Sequence, residues 1–76
     1  EFEAYPNPTN GQLQLQWAGV QGELREWSMM TVTGNLVQQG MIRSGQWLDL
    51  SGMAKGTYVL KMNSADGILM KQVILQ

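Results

Sequence analysis

The 76-residue chain has no cysteine and no histidine. Without thiols there is no disulfide staple and no Cys-based metal site, and the cysteine count is silent on the redox compartment. Without imidazole, a Ser-His or Cys-His nucleophile pair is excluded, and so is a His-ligated metal centre. Charge is scarce too. Asp, Glu, Lys and Arg make up 14% of the residues, against about 25% in an ordinary soluble domain. A net charge of −1 gives no field to steer nucleic acid or an anionic membrane. No apolar run approaches the roughly 18–20 residues of a membrane-spanning helix. Residue 1 is Glu, not Met, as expected of a fragment or an excised terminal domain.

What is present is polar without being charged. Nine glutamines supply much of the hydrophilic surface. The length suits a single domain, residues 1–76, with a marginal core, since a chain this short buries only about 60–65% of its unfolded surface. The hydrophobic period is two. In "QLQLQW", Leu13, Leu15 and Trp17 alternate with Gln12, Gln14 and Gln16, the pattern of a half-buried strand. Further strands are predicted at Phe2–Tyr5, Leu24–Val32, residues 36–42, 46–50, 57–62 and 68–76. "TGN" at 33–35 places Gly34 in a tight hairpin turn, "SGMAKG" at 51–56 forms a corner, and "NSADG" at 63–67 a hairpin loop. Seven short strands at this spacing predict an all-β, immunoglobulin-like antiparallel sandwich. "MAKGTY" adds a specific cue. Gly56 precedes a tyrosine at the start of a strand, and sandwiches often tie such a hydroxyl back to the upstream backbone. Tyr58 is the candidate.

Chemistry is harder to find. The carboxylates are Glu1, Glu3, Glu23, Glu26, Asp49 and Asp66. None forms an evident facing pair of the kind a glycosidase needs. Asp49 and Asp66 fall far short of the 6–8 oxygens of a calcium site and read as strand-edge and turn residues. The four serines have no base partner, and no glycine run opens a helix that would hold phosphate. The expectation is no catalytic residue, no metal and no cofactor. Among the tryptophans, Trp17 and Trp27 share parity with core residues. Trp47 does not. Leu48 and Leu50 set the buried side of its strand and turn Trp47 outward, either to cover an edge or to meet a partner.

"YPNPTNG", residues 5–11, stands apart. Pro6 and Pro8 fix their own φ and push the preceding residues toward extended backbone, so Tyr5-Pro6-Asn7-Pro8 is expected to be stiff and extended. Neither proline donates to a ladder. Asn10-Gly11 then supplies a positive-φ turn that launches the Gln12–Trp17 strand.

From end to end the chain resembles the type A C-terminal sorting domain of the type IX secretion system. That family opens on YPNP-x-x-G, here Tyr5, Pro6, Asn7, Pro8 and Gly11. A strand-turn-strand block follows, matched by Trp27 to Val37 around Gly34, with Met30 in place of the usual aromatic and Thr31 in place of Asp or Asn. A Leu-x-x-Gly-x-Tyr-x-Leu block is matched by Met53 to Leu60, including Gly56 and Tyr58. The chain closes on a turn glycine, Gly67, and a Lys-x-apolar-apolar strand, Lys71 to Ile74 with Val73. The resemblance implies a secretion signal rather than a catalyst. It implies an N-terminal passenger in transit through the periplasm, and reading by the outer-membrane translocon and its shuttle protein. A cell-surface sortase would then cut upstream, leaving the passenger at the cell surface or extracellular. The recognition residues it implies are Tyr5, Pro6, Asn7, Pro8, Gly11, Lys71, Val73 and Ile74.

The last strand carries a signal of its own. One apolar parity suffices to pack a sandwich with a wet outer face, yet Val73, Ile74 and Leu75 make both faces apolar. The second face is expected to be exposed, as partner sites are. The competing function is a carbohydrate-binding or adhesive sandwich, which calls for a second exposed aromatic beside Trp47.

Overall fold

The computed structural model describes residues 2–20, 22–65 and 67–76. Seven strands follow one another: β1 (Phe2–Tyr5), β2 (Gln12–Trp17), β3 (Leu24–Thr31), β4 (Leu36–Arg43), β5 (Trp47–Asp49), β6 (Gly56–Ser64) and β7 (Gly67–Leu75). They form two antiparallel sheets, in the orders β1-β2-β5 and β4-β3-β6-β7. The alternation read from sequence decides which side chains fill the space between them. Leu13, Leu15 and Trp17 of β2 face Trp27 and Met29 of β3 and Tyr58, Leu60 and Met62 of β6, with Leu48 and Leu50 closing one end. Burying such side chains is the main term holding the sandwich together, at about 25 cal/mol per Å² of apolar surface.

The turns follow the local chemistry. Gly34 has φ of +95°, and its N–H donates to the Thr31 carbonyl at 2.9 Å. Because that turn already begins at Thr31, β3 ends one residue short of the expected Val32, which is left exposed. The β6–β7 hairpin is tighter than expected. Ser64 pairs with Gly67, so the strands run on into the predicted 63–67 loop. Asp66, the predicted turn aspartate, lies outside the described residues, as do Glu1 and Gln21. At the corner before β6, the Tyr58 hydroxyl donates to the Ala54 carbonyl. Bonding back across four residues fixes the course of the chain into the strand, as the sandwich reading required.

The opening segment departs from expectation. The Tyr5-Pro6 and Asn7-Pro8 peptide bonds are both cis, and residues 6–8 bend where an extended lead-in was expected. The bend carries the chain off the line of β1 and lays Thr9 beside Leu75, as an isolated parallel bridge to the other sheet.

Candidate functional site

The two ends of the chain meet in one seam. In the β6–β7 ladder, Ser64 and Gly67 flank the hairpin as a bonded pair. The odd residues of β7 therefore bond to β6, while the N–H and C=O groups of even residues point to the free edge. Residues 7–9 lie along the last part of that edge. The Asn7 side-chain N–H donates to the Gln72 carbonyl at 2.8 Å, and the Ile74 N–H donates to the Asn7 side-chain oxygen at 3.0 Å. Main chain continues the ladder. The Thr9 N–H donates to the Ile74 carbonyl at 2.9 Å, and the Gln76 N–H to the Thr9 carbonyl at 2.8 Å.

Thr9 anchors the seam and is only 1% exposed. Its hydroxyl donates to the Gln12 carbonyl and accepts from the Gly11 N–H at 3.1 Å. Buried, the side chain is thus satisfied on both sides. Gly11, at φ +139°, makes the turn into β2, and its carbonyl accepts from Leu50 N–H at 2.6 Å. In the opening motif Thr9 is one of the two variable positions, so the motif alone does not single it out. Its signal was a threonine two residues before a glycine, where a hydroxyl commonly closes a local turn.

The terminal strand divides by parity. Val73 and Leu75 are buried, and Leu69 packs against the core. On the opposite face Ile68 is 60%, Met70 62% and Ile74 39% exposed, the uncovered apolar face expected from the run Val73-Ile74-Leu75. Lys71 lies opposite Leu60 on the inner row, half-buried at the mouth of the sandwich. Of the residues implied by the resemblance, Asn7, Lys71, Val73 and Ile74 thus come together on or beside one strand. Tyr5, Pro6, Pro8 and Gly11 supply the approach to it.

Trp47 points outward and is 53% exposed. With Pro6, Asn10, Gly11 and Ser51 it lines an open hollow of about 380 Å³ beside the motif. Tyr5 is the other exposed aromatic on that sheet, but Gln14 lies between the two in the row Tyr5–Gln14–Trp47. They do not make the paired platform that a sugar-binding reading called for. Asp49 works locally. Hydrogen bonds from the Ser51 side chain and backbone N–H hold its carboxyl below the usual aspartate value. Among the described residues no three carboxylates gather where a metal ion could be held.

The distinguishing surface of this sandwich is its terminal strand, strapped along one edge by residues 7–9. The chain belongs to the secretion system C-terminal sorting domain family, whose profile matches residues 3–76, and it is the C-terminal sorting signal of type IX secretion. Membership implies interaction with the type IX machinery and a passenger attached on the N-terminal side. It marks that passenger for the cell surface or the extracellular space. A search of curated proteins returns no match. The carbohydrate-binding reading gains no support.

Proposed function

We propose that the receptor-facing determinant of this sorting signal is Lys71 together with the last four residues, read by the outer-membrane translocon and its shuttle protein. The observation that carries the reading is the uncovered apolar face of β7, with Ile74 exposed near the chain end. Folding needs only the inner parity of that strand, so the outer one is free for a partner. Val73 and Leu75 hold the strand in the core, while Gln72, Ile74 and Gln76 present its surface. The passenger, on this reading, crosses the periplasm before it is exported, and a surface sortase then cuts upstream of the domain. The domain supplies no catalytic group to that cleavage.

The test fuses residues 1–76 behind a signal-peptide-bearing fluorescent reporter in a host that has type IX secretion. Fluorescence at the surface or in the medium supports the reading. Retention in the periplasm, with the domain folded, overturns it.

A further inference from the structure

We infer that Asn7 is a positioning residue for recognition: it does not meet the receptor but sets the terminal strand in the form that is read. This inference rests on the sorting reading above. A carboxamide carries one N–H donor side and one carbonyl acceptor, the same pair a peptide group offers. Asn7 uses both, one on Gln72 and one on Ile74, and so stands where a residue of an eighth strand would stand. Thr9 supplies the next two bonds through main chain. Together they occupy four consecutive edge groups: Gln72 C=O, Ile74 N–H, Ile74 C=O and Gln76 N–H.

The two halves of this clamp differ in what they ask of the sequence. The Thr9 bonds use main-chain groups only, its side chain serving the turn into β2 instead. The Asn7 bonds need a short side chain with a donor and an acceptor on one carbon. Asp lacks the donor when ionised, Ala lacks both groups, and Gln is a methylene longer. The opening motif and the last strand, 67 residues apart in the chain at the Ile74–Asn7 bond, are therefore one signal. With its amide engaged in this way, Asn7 fixes where the outward Ile74 side chain and the Gln76 end sit. Without it, those residues hang from β6 on one side and from Thr9 alone on the other.

Two variants separate positioning from general stability. Asn7→Ala removes both bonds. Asn7→Asp keeps the acceptor for Ile74 but sets a carboxylate against the Gln72 carbonyl at neutral pH. Below its pKa, near 3.9 for an unperturbed aspartate, the neutral carboxyl regains a donor. Hydrogen exchange on the 76-residue chain reads the clamp directly. At pH 7 both variants should exchange the Ile74 amide roughly 3- to 10-fold faster than wild type, the range expected for one ordinary hydrogen bond: alanine offers it no acceptor, and repulsion from the Gln72 carbonyl swings the Asp carboxylate off the edge. The Tyr58 amide, in the β6–β7 ladder, should change far less. Asn7→Asp should regain wild-type protection at Ile74 near pH 3, and Asn7→Ala should not. Export of the reporter fusion at neutral pH should fall for both variants by more than their loss of folded fraction. Unchanged exchange at Ile74 overturns the inference, and so does export that tracks folded fraction alone. If the wild-type fusion itself stays in the periplasm, it is the sorting reading that fails, and the exchange data then judge the clamp by themselves.

Discussion

The Lys71 ammonium, on the last strand, stands 5.7 Å from the centroid of the Phe2 ring on the first. Phe2 is buried, so the charge sits at the lip of the core, its stem over apolar surface and its head toward water. The one ion pair among the described residues is Arg25–Glu23, and Lys71 takes no part in it. An inward-leaning charge on an edge strand also discourages edge-to-edge aggregation. Lys71→Glu reverses that charge and gives up a contact of about 0.5–1 kcal/mol. The domain should melt within several degrees of wild type while export of a reporter fusion collapses. Thermal melting measured beside secretion checks it. A loss of secretion no larger than the loss of stability would show that Lys71 serves packing alone.

Tyr58→Phe removes only the hydroxyl that bonds to the Ala54 carbonyl. The ring stays in the core, and the corner at residues 51–56 loses one tie. The expected loss is about 1 kcal/mol, which for a domain this small lowers Tm by roughly 4–8 °C. Export at a temperature where both forms are folded should be unchanged, because the lost hydroxyl bonds to Ala54 and to no residue of the seam.

Gly34 and Gly56 have φ of +95° and +151°. A Cβ at either would meet nothing within 4 Å, so the whole effect of alanine there is local backbone strain. Each substitution should destabilise by more than about 1 kcal/mol. Chemical denaturation would test this, with an unchanged m-value showing that the denatured state is not the cause.

Much of this architecture was legible because its signals are local. The alternation of Leu13, Leu15 and Trp17 fixes one face of β2, and Leu48 and Leu50 turn Trp47 outward. Tyr58 announces its corner through the glycine two residues before it. What escaped the sequence is long-range. Nothing near Asn7 says that its partners are Gln72 and Ile74, since that pairing exists only after both sheets have formed. Two prolines within three residues suggested stiffness, but not the bend that lets Thr9 reach β7. Thr9 looked like a spacer because its burial depends on the same docking. In β7 both parities are apolar, so periodicity alone left its inner face open. The ladder to β6 resolves it, with Val73 opposite Tyr58 and Leu75 opposite Gly56.

The terminal residues offer the sharpest separation of folding from recognition. Removing residues 72–76 should abolish export, but it also deletes Val73 and Leu75, both buried in the core. Each is worth about 1.5–3 kcal/mol of burial, a large fraction of the 5–15 kcal/mol that holds an ordinary domain together. The truncation also removes every group that Asn7 and Thr9 bond to on β7. It should therefore melt far below wild type or not fold at all, and its export defect alone assigns nothing. Ile74→Thr is the discriminating change. The side chain faces outward, its backbone bonds to Asn7 and Thr9 are kept, and threonine is as well suited to a strand. Stability should fall by no more than about 1 kcal/mol, while export drops as steeply as for the truncation. Normal secretion of Ile74→Thr would remove the outer face of β7 from the recognition surface and leave Lys71 and the chain end to carry it.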